Sequence, residues 1–282
     1  MAALHSFEND GLTFDVDDSG GDGEAVVLLH GFPQTKDCWR ALTPTLVDAG
    51  HRVLAPTQRG YSPAARPPRR WDYTLGKLVD DVLALADAAA VDRFHVVGHD
   101  WGGGVAWVLG ADHPDRVLSV TSLTTPHPQA VRTALLTSRQ VLQSSYMFFF
   151  QLPVVPEALF RSERGGRRVL DAFERSGLSP EDARRYLEGL RDGALTPALH
   201  WYRAIPFGSR TGPGPVSVPT LYVYATGDVA LSRTAADRTA DHVTGPYRYE
   251  VLEGASHWLP EQHADLVGPL LLEHLASHRQ PV

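Results

Sequence analysis

The strongest chemical signal in the chain is the hexapeptide Gly98-His99-Asp100-Trp101-Gly102-Gly103. It follows the apolar run Phe94-His95-Val96-Val97 and opens a helical pattern over residues 101–111. Small residues two before and two after Asp100 permit a tight strand-to-helix turn, which lifts the central side chain above a sheet. The helix behind such a turn presents unpaired N–H groups and a positive dipole end. Serine usually occupies the centre of this turn. A carboxylate in its place is a nucleophile that needs no base to deprotonate it. The purely structural alternative is a Gly-rich turn with Asp100 capping the helix.

Three more segments complete a possible constellation. His30-Gly31-Phe32-Pro33 closes the run Ala25-Val26-Val27-Leu28-Leu29. In such a loop the N–H of Phe32 can join that of Trp101 to form an oxyanion hole, each donor contributing about 3 kcal/mol to a transition state. Gly254-Ala255-Ser256-His257-Trp258 follows Tyr249-Glu250-Val251-Leu252 and places His257 on a loop after a late strand. Thr226-Gly227-Asp228 follows Leu221-Tyr222-Val223-Tyr224. Nucleophile, acid and histidine then run in the order Asp100, Asp228, His257. The other place for the acid, after the run 117–123, holds Thr124, Thr125 and Pro126 and no carboxylate. Asp237 falls within the next helix and is expected to face solvent. Of the 13 histidines, His99 flanks the turn and is expected to pack against the sheet. No pair has the spacing of a zinc site, so neither metal nor cofactor is expected.

These residues need a scaffold that brings them to one edge. Short apolar runs at 25–29, 52–55, 94–97, 117–123 and 221–224 end at turn residues, as do strands covered on both faces. Helical patterns lie between them: Leu75, Leu78, Val82, Leu85 and Ala86 form one stripe. The alternation predicts an α/β fold with a mostly parallel, doubly wound sheet and a site beyond the carboxyl ends of its strands. Residues 126–215 break the pattern. They are mainly helical and aromatic, with helices expected over 131–150, 163–177 and 180–202, and end in a Gly-Pro-rich stretch. The expected organisation is a core of residues 1–125 and 216–282, with residues 126–215 inserted after the sixth strand as a helical lid.

Composition sets the outer limits. The 282 residues are 43% hydrophobic and 21% charged, too apolar for a disordered chain. A formal charge of -7 excludes the clustered cationic excess that binds nucleic acid. Arg66, Arg69 and Arg70, set among prolines, form the one basic cluster and are expected on a surface loop. Cys38 is the only cysteine, which allows no internal disulfide and points to a reducing compartment. Residues 1–5 lack a secretory signal pattern, and no apolar run could span a bilayer. The expectation is a cytoplasmic protein, monomer or homodimer, with no nucleic-acid or membrane partner.

Taken together, these segments resemble the epoxide hydrolase branch of the α/β-hydrolase superfamily. The likeness covers nearly the whole chain through His30-Gly31-Phe32-Pro33, Arg59-Gly60-Tyr61, the Asp100 turn, and the segment around His257. It implies an α/β-hydrolase fold with a cap and the triad Asp100, Asp228 and His257. It also implies two lid tyrosines that bind and protonate the epoxide oxygen. Tyr146, ahead of Phe148-Phe149-Phe150-Gln151, and Tyr202, in Trp201-Tyr202-Arg203, match those positions. Two departures stand out: Ala55-Pro56-Thr57-Gln58 lacks the acidic residue often found there, and the acid loop is shortened to Gly227-Asp228-Val229-Ala230.

The resemblance implies that Asp100 opens a small apolar epoxide to an ester and that His257, oriented by Asp228, activates water to release a vicinal diol. The N–H groups of Phe32 and Trp101 would bind the oxyanion. Two alternatives share these motifs. A haloalkane dehalogenase would use the same triad, but in many of them an Asn donor stands where this chain has Phe32. A non-catalytic ligand-binding protein could keep the fold alone.

Overall fold

The computed structural model describes residues 3–137, 145–209 and 212–280. Eight strands form one sheet: β1 (Ser6–Asn9), β2 (Leu12–Asp18), β3 (Ala25–Leu29), β4 (Arg52–Pro56), β5 (Phe94–His99), β6 (Val117–Leu123), β7 (Thr220–Ala225) and β8 (Tyr247–Leu252). Their order is β1-β2-β4-β3-β5-β6-β7-β8. Strands β3 to β8 are mutually parallel, and β1 and β2 add an antiparallel edge. Every residue of β3 to β7 is buried, which explains why these strands appear in the sequence as unbroken apolar runs.

Side chains alternate between two cores. Val27 and Leu29 face a cluster with Leu78 and Val82 of α2 (Leu75–Ala88; α1 being Thr43–Asp48) and Val105 and Leu109 of α3 (Trp101–Asp112). Val26 and Leu28 face Trp39, Leu46, Leu271 and Leu275 on the other side. Helices therefore cover both faces. Register then aligns the strand ends: Leu29 pairs with Gly98, His99 with Leu123, and Ala225 with Leu252. The loops after β3, β5, β7 and β8 consequently leave the sheet at the same edge. No helix among the described residues is long and apolar enough to cross a membrane.

Between β6 and β7 the described residues are helical: α4 (Pro128–Thr137), α5 (Ser145–Gln151), α6 (Val155–Arg161), α7 (Glu163–Arg175), α8 (Pro180–Gly189) and α9 (Leu195–Arg203). Two details differ from the sequence pattern. A separate helix occupies 155–161, and the run 180–202 is broken where Gly193 adopts φ +92°. The middle of the expected helix 131–150 lies outside the described residues. Buried polar ties fasten this layer. Trp201 Nε1 donates to the Arg59 carbonyl at 2.8 Å, and the Arg59 guanidinium pairs with both oxygens of Asp81 at 2.7 Å. Arg203 donates to both oxygens of Glu157, at 2.7 and 3.0 Å, and to the Phe150 carbonyl at 2.9 Å. Arg66 departs from its neighbours Arg69 and Arg70, which are exposed: it donates to the carbonyls of Asp192 and Tyr61, both at 2.9 Å, and so links the helical stretch between β6 and β7 to the loop after β4.

Candidate active site

The turn between β5 and α3 works only with glycine at its flanks. A Cβ on Gly98 would lie 2.1 Å from the Gly102 carbonyl oxygen, and one on Gly102 would lie 2.0 Å from that of Leu29. Asp100 between them takes φ +51° and ψ -120°, a strained backbone for a residue with a side chain. Its carbonyl is held by the Thr125 hydroxyl at 2.7 Å. The strain projects the carboxylate outward. Phe32 N–H donates to Asp100 Oδ1 at 2.8 Å, and Trp101 N–H also bonds the carboxylate. The two expected oxyanion donors therefore both bond the Asp100 carboxylate itself.

His257 lies on the loop after β8 and Asp228 on the loop after β7. Asp228 Oδ2 is 2.8 Å from His257 Nδ1, and Oδ1 accepts from the N–H groups of Ala230 and Leu231 at 2.7 and 3.1 Å. The shortened acid loop thus still supplies two backbone donors that fix the carboxylate. His257 Nε2 is 3.8 Å from Asp100 Oδ2, too far for a direct hydrogen bond but near enough for one small molecule to touch both. Asp237 is half-exposed and paired with Arg233, as a solvent-facing residue should be.

Burial raises Asp100 above the ordinary carboxylate range, although His257 and the two N–H donors work against that rise. Burial alone would depress His257. The charge and hydrogen bond of Asp228, followed by the charge of Asp100, overcome it and push His257 up to about 9. The imidazole therefore rests as a cation beside two carboxylates.

A cavity of about 290 Å³ opens over this pair. Asp100, His257, Tyr146 and Tyr202 all line it, with Phe150, Phe160 and Val169 among its apolar walls. The two tyrosine rings stand 6.0 Å apart at 78°. Tyr202 packs edge-on against Trp101 at 5.1 Å and Phe32 at 5.5 Å, which sets its ring against the segments after β5 and after β3. Burial, reinforced by neighbouring negative charge that includes Asp100, pushes both phenols well above 10. They stay protonated at neutral pH, so each keeps an O–H to donate toward an acceptor in the cavity. Every expected site residue is thus brought to one place. His99 does more than pack: it is fully buried, and its nitrogens lie 2.8 Å from Gln34 Oε1 and 2.8 Å from the His257 carbonyl. Gln34 was not anticipated, because a single amide in a loop carries no pattern of its own.

The family model for the alpha/beta hydrolase fold matches residues 24–264. A protein called AB hydrolase superfamily protein YfhM, from Bacillus subtilis (strain 168), is 37% identical over 95% of this chain and 96% of its own. Epoxide hydrolase A of Mycobacterium tuberculosis is 33% identical over 96% of each chain. The chain belongs to the α/β-hydrolase fold family. Within it, the chain falls in the epoxide hydrolase branch, and the solved structure of Epoxide Hydrolase A from Mycobacterium thermoresistibile superposes on it with a TM-score of 0.83, at 26% identity and 98% coverage of both chains. The helices between β6 and β7 contribute Tyr146, Phe150, Phe160, Val169 and Tyr202 to the cavity lining.

Proposed function

We propose that this hydrolase opens epoxides of small, largely apolar molecules to vicinal diols through an ester on Asp100. The observation that carries the reading is the pairing of a carboxylate nucleophile with two protonated phenols in one apolar cavity. Asp100 Oδ2 attacks a ring carbon and forms a C–O bond, while the opposite C–O bond breaks and its electron pair stays on oxygen. Tyr146 and Tyr202 hold that oxygen and supply its proton, because an alkoxide is a poor leaving group in a dry site. The relatives called epoxide hydrolases support an epoxide as the substrate class.

The electrostatics time the second half. Once Asp100 becomes a neutral ester, one of the charges that holds His257 protonated disappears. His257 then becomes a weaker acid-holder and a competent base, with Asp228 fixing its Nδ1–H. The proton that His257 gives up restores the phenol that protonated the alkoxide, so the first half-reaction closes without a net change in protons. His257 next deprotonates a water that attacks the Asp100 ester carbon, and the N–H groups of Phe32 and Trp101 receive the oxyanion. The product leaves as a diol and the carboxylate is restored. The dehalogenase reading draws no support from Phe32, whose side chain packs on Phe150 and Tyr202 and offers a halide no donor.

Asp100→Asn tests the nucleophile with a styrene-oxide-type substrate. Diol formation should fall to background in freshly prepared protein whose mass excludes deamidation. Undiminished turnover would sink the assignment.

A further inference from the structure

We propose that Glu261 is a positioning residue for His257, acting through Gln34 and His99 and linked by Tyr186 to the lid. The inference rests on the reading of His257 as the base of the hydrolytic step. Glu261 lies on the one-turn helix α11 (Leu259–Gln262; α10 being Arg233–Asp237), four residues after His257. Its Oε1 accepts from Gln34 Nε2 at 2.7 Å and from the Tyr186 hydroxyl at 2.6 Å. Gln34 Oε1 in turn accepts from the N–H of Gly31 at 3.0 Å and lies 2.8 Å from His99 Nδ1. The other nitrogen of His99 lies 2.8 Å from the His257 carbonyl. An unbroken path thus runs from α8 of the lid to the backbone of the catalytic histidine.

Counting protons shows what the path requires. His99 faces oxygen acceptors with both nitrogens, and a neutral ring can donate from only one. The N–H of Gly31 fixes the Gln34 oxygen toward His99, so the amide cannot turn and its NH2 faces Glu261. The proton on His99 Nε2 is the one that holds the His257 carbonyl. Glu261 accepts from the amide NH2 and thereby holds Gln34, and through it the His99 ring, in place. Around His257 the charged or titratable groups are Asp228, Asp100, Glu261 and His99; around Glu261 they are Tyr186, Asp182, Cys38 and Arg40. Glu261 Oε2 is buried and has no hydrogen-bond partner among the described residues, so no other group fixes this carboxyl by a second bond.

The test compares Glu261→Leu, which cuts the chain, with Glu261→Gln, which can still bond Gln34. In single-turnover experiments with an epoxide, Glu261→Leu should slow hydrolysis of the ester about tenfold to a hundredfold, as displaced catalytic groups do, and ester formation much less. Glu261→Gln should recover most of that loss. Equal losses in the two variants, or no loss in either, would overturn the proposal. A second measurement uses the unaltered protein and no substrate: nitrogen-15 NMR should show a slowly exchanging proton on His99 Nε2 from about pH 5 to 8, the range over which an ordinary histidine titrates. A bare Nε2 would equally overturn it, whether or not Glu261→Leu folds. If the protein turns over no epoxide, the functional reading fails while the NMR result still judges the chain.

Discussion

Replacing Asp228 by Asn keeps the shape of the acid loop and removes its charge. His257 lies at about 9 against an ordinary 6.5, although it is buried. At 1.36 kcal/mol per unit, that elevation amounts to about 3 kcal/mol, and the carboxylates supply more than this because burial opposes them. Asn can keep its oxygen on the N–H groups of Ala230 and Leu231 only by turning its amide NH2 toward His257 Nδ1. That forces the imidazole proton onto Nε2, where the ring can no longer take a proton from water. Hydrolysis of the ester should therefore fall about 10³- to 10⁴-fold, the loss expected from a wrong tautomer. Ester formation should be far less affected. Intact-mass spectrometry after rapid mixing with epoxide should show the adduct accumulating to nearly one per chain. Hydrolysis within tenfold of the unaltered rate would refute the role given to Asp228, and absence of adduct with full diol formation would refute the ester altogether.

Other outcomes follow from the same geometry. Tyr146→Phe and Tyr202→Phe should each slow ring opening about 10²-fold without changing ester hydrolysis, the size usual for a lost general acid; stopped-flow measurement of both phases checks it, and equal slowing of both phases counts against proton donation. Gly102→Ala should destabilise the fold by about 3 kcal/mol, because its Cβ would lie 2.0 Å from the Leu29 oxygen and the ~1 kcal/mol gain in helix propensity cannot offset that overlap; urea titration reads the difference. Acid should unfold the protein in a defined window. Burial lowers His30 and His127 to about 4 and His95 and His274 to about 3, so the unfolded chain binds more protons than the folded one below about pH 6.5. Their contribution is complete above that pH and is lost as the pH falls toward 3. His257, raised to about 9, acts oppositely and loses its contribution between about pH 6.5 and 9. Thermal denaturation across pH should therefore fall off on both sides, more steeply on the acid side; a flat profile between pH 4 and 7 would contradict the burial of these rings.

Much of this was legible because the chemistry sits at strand ends. The runs ending at Leu29, Val97 and Tyr224 announced buried parallel strands, and the loops after them carried Phe32, Asp100 and Asp228. The β1–β2 hairpin was harder to see. Leu12–Asp18 alternates inward Phe14 and Val16 with outward polar residues, but Ser6–Asn9 has one buried side chain and too little pattern to register. The lid tyrosines were found by resemblance, since helical spacing cannot distinguish a packed ring from one that faces a cavity. Gln34 and Glu261 were invisible for another reason. They lie 227 residues apart in sequence, and only the alignment of strand ends makes them neighbours.

The ties around Tyr202 carry a consequence for how such a protein can change. Its sequence neighbours are both locked: Trp201 onto the Arg59 backbone, Arg203 onto Glu157 and the end of α5. Those ties fix the backbone that carries the phenol, and Phe32, Trp101 and Phe150 pack on its ring. Phe160 and Val169, which also line the cavity, stand on α6 and α7 and take part in neither tie. Under the proposed mechanism, substitution at either can resize the chamber for a different epoxide while those ties still hold the proposed proton donor.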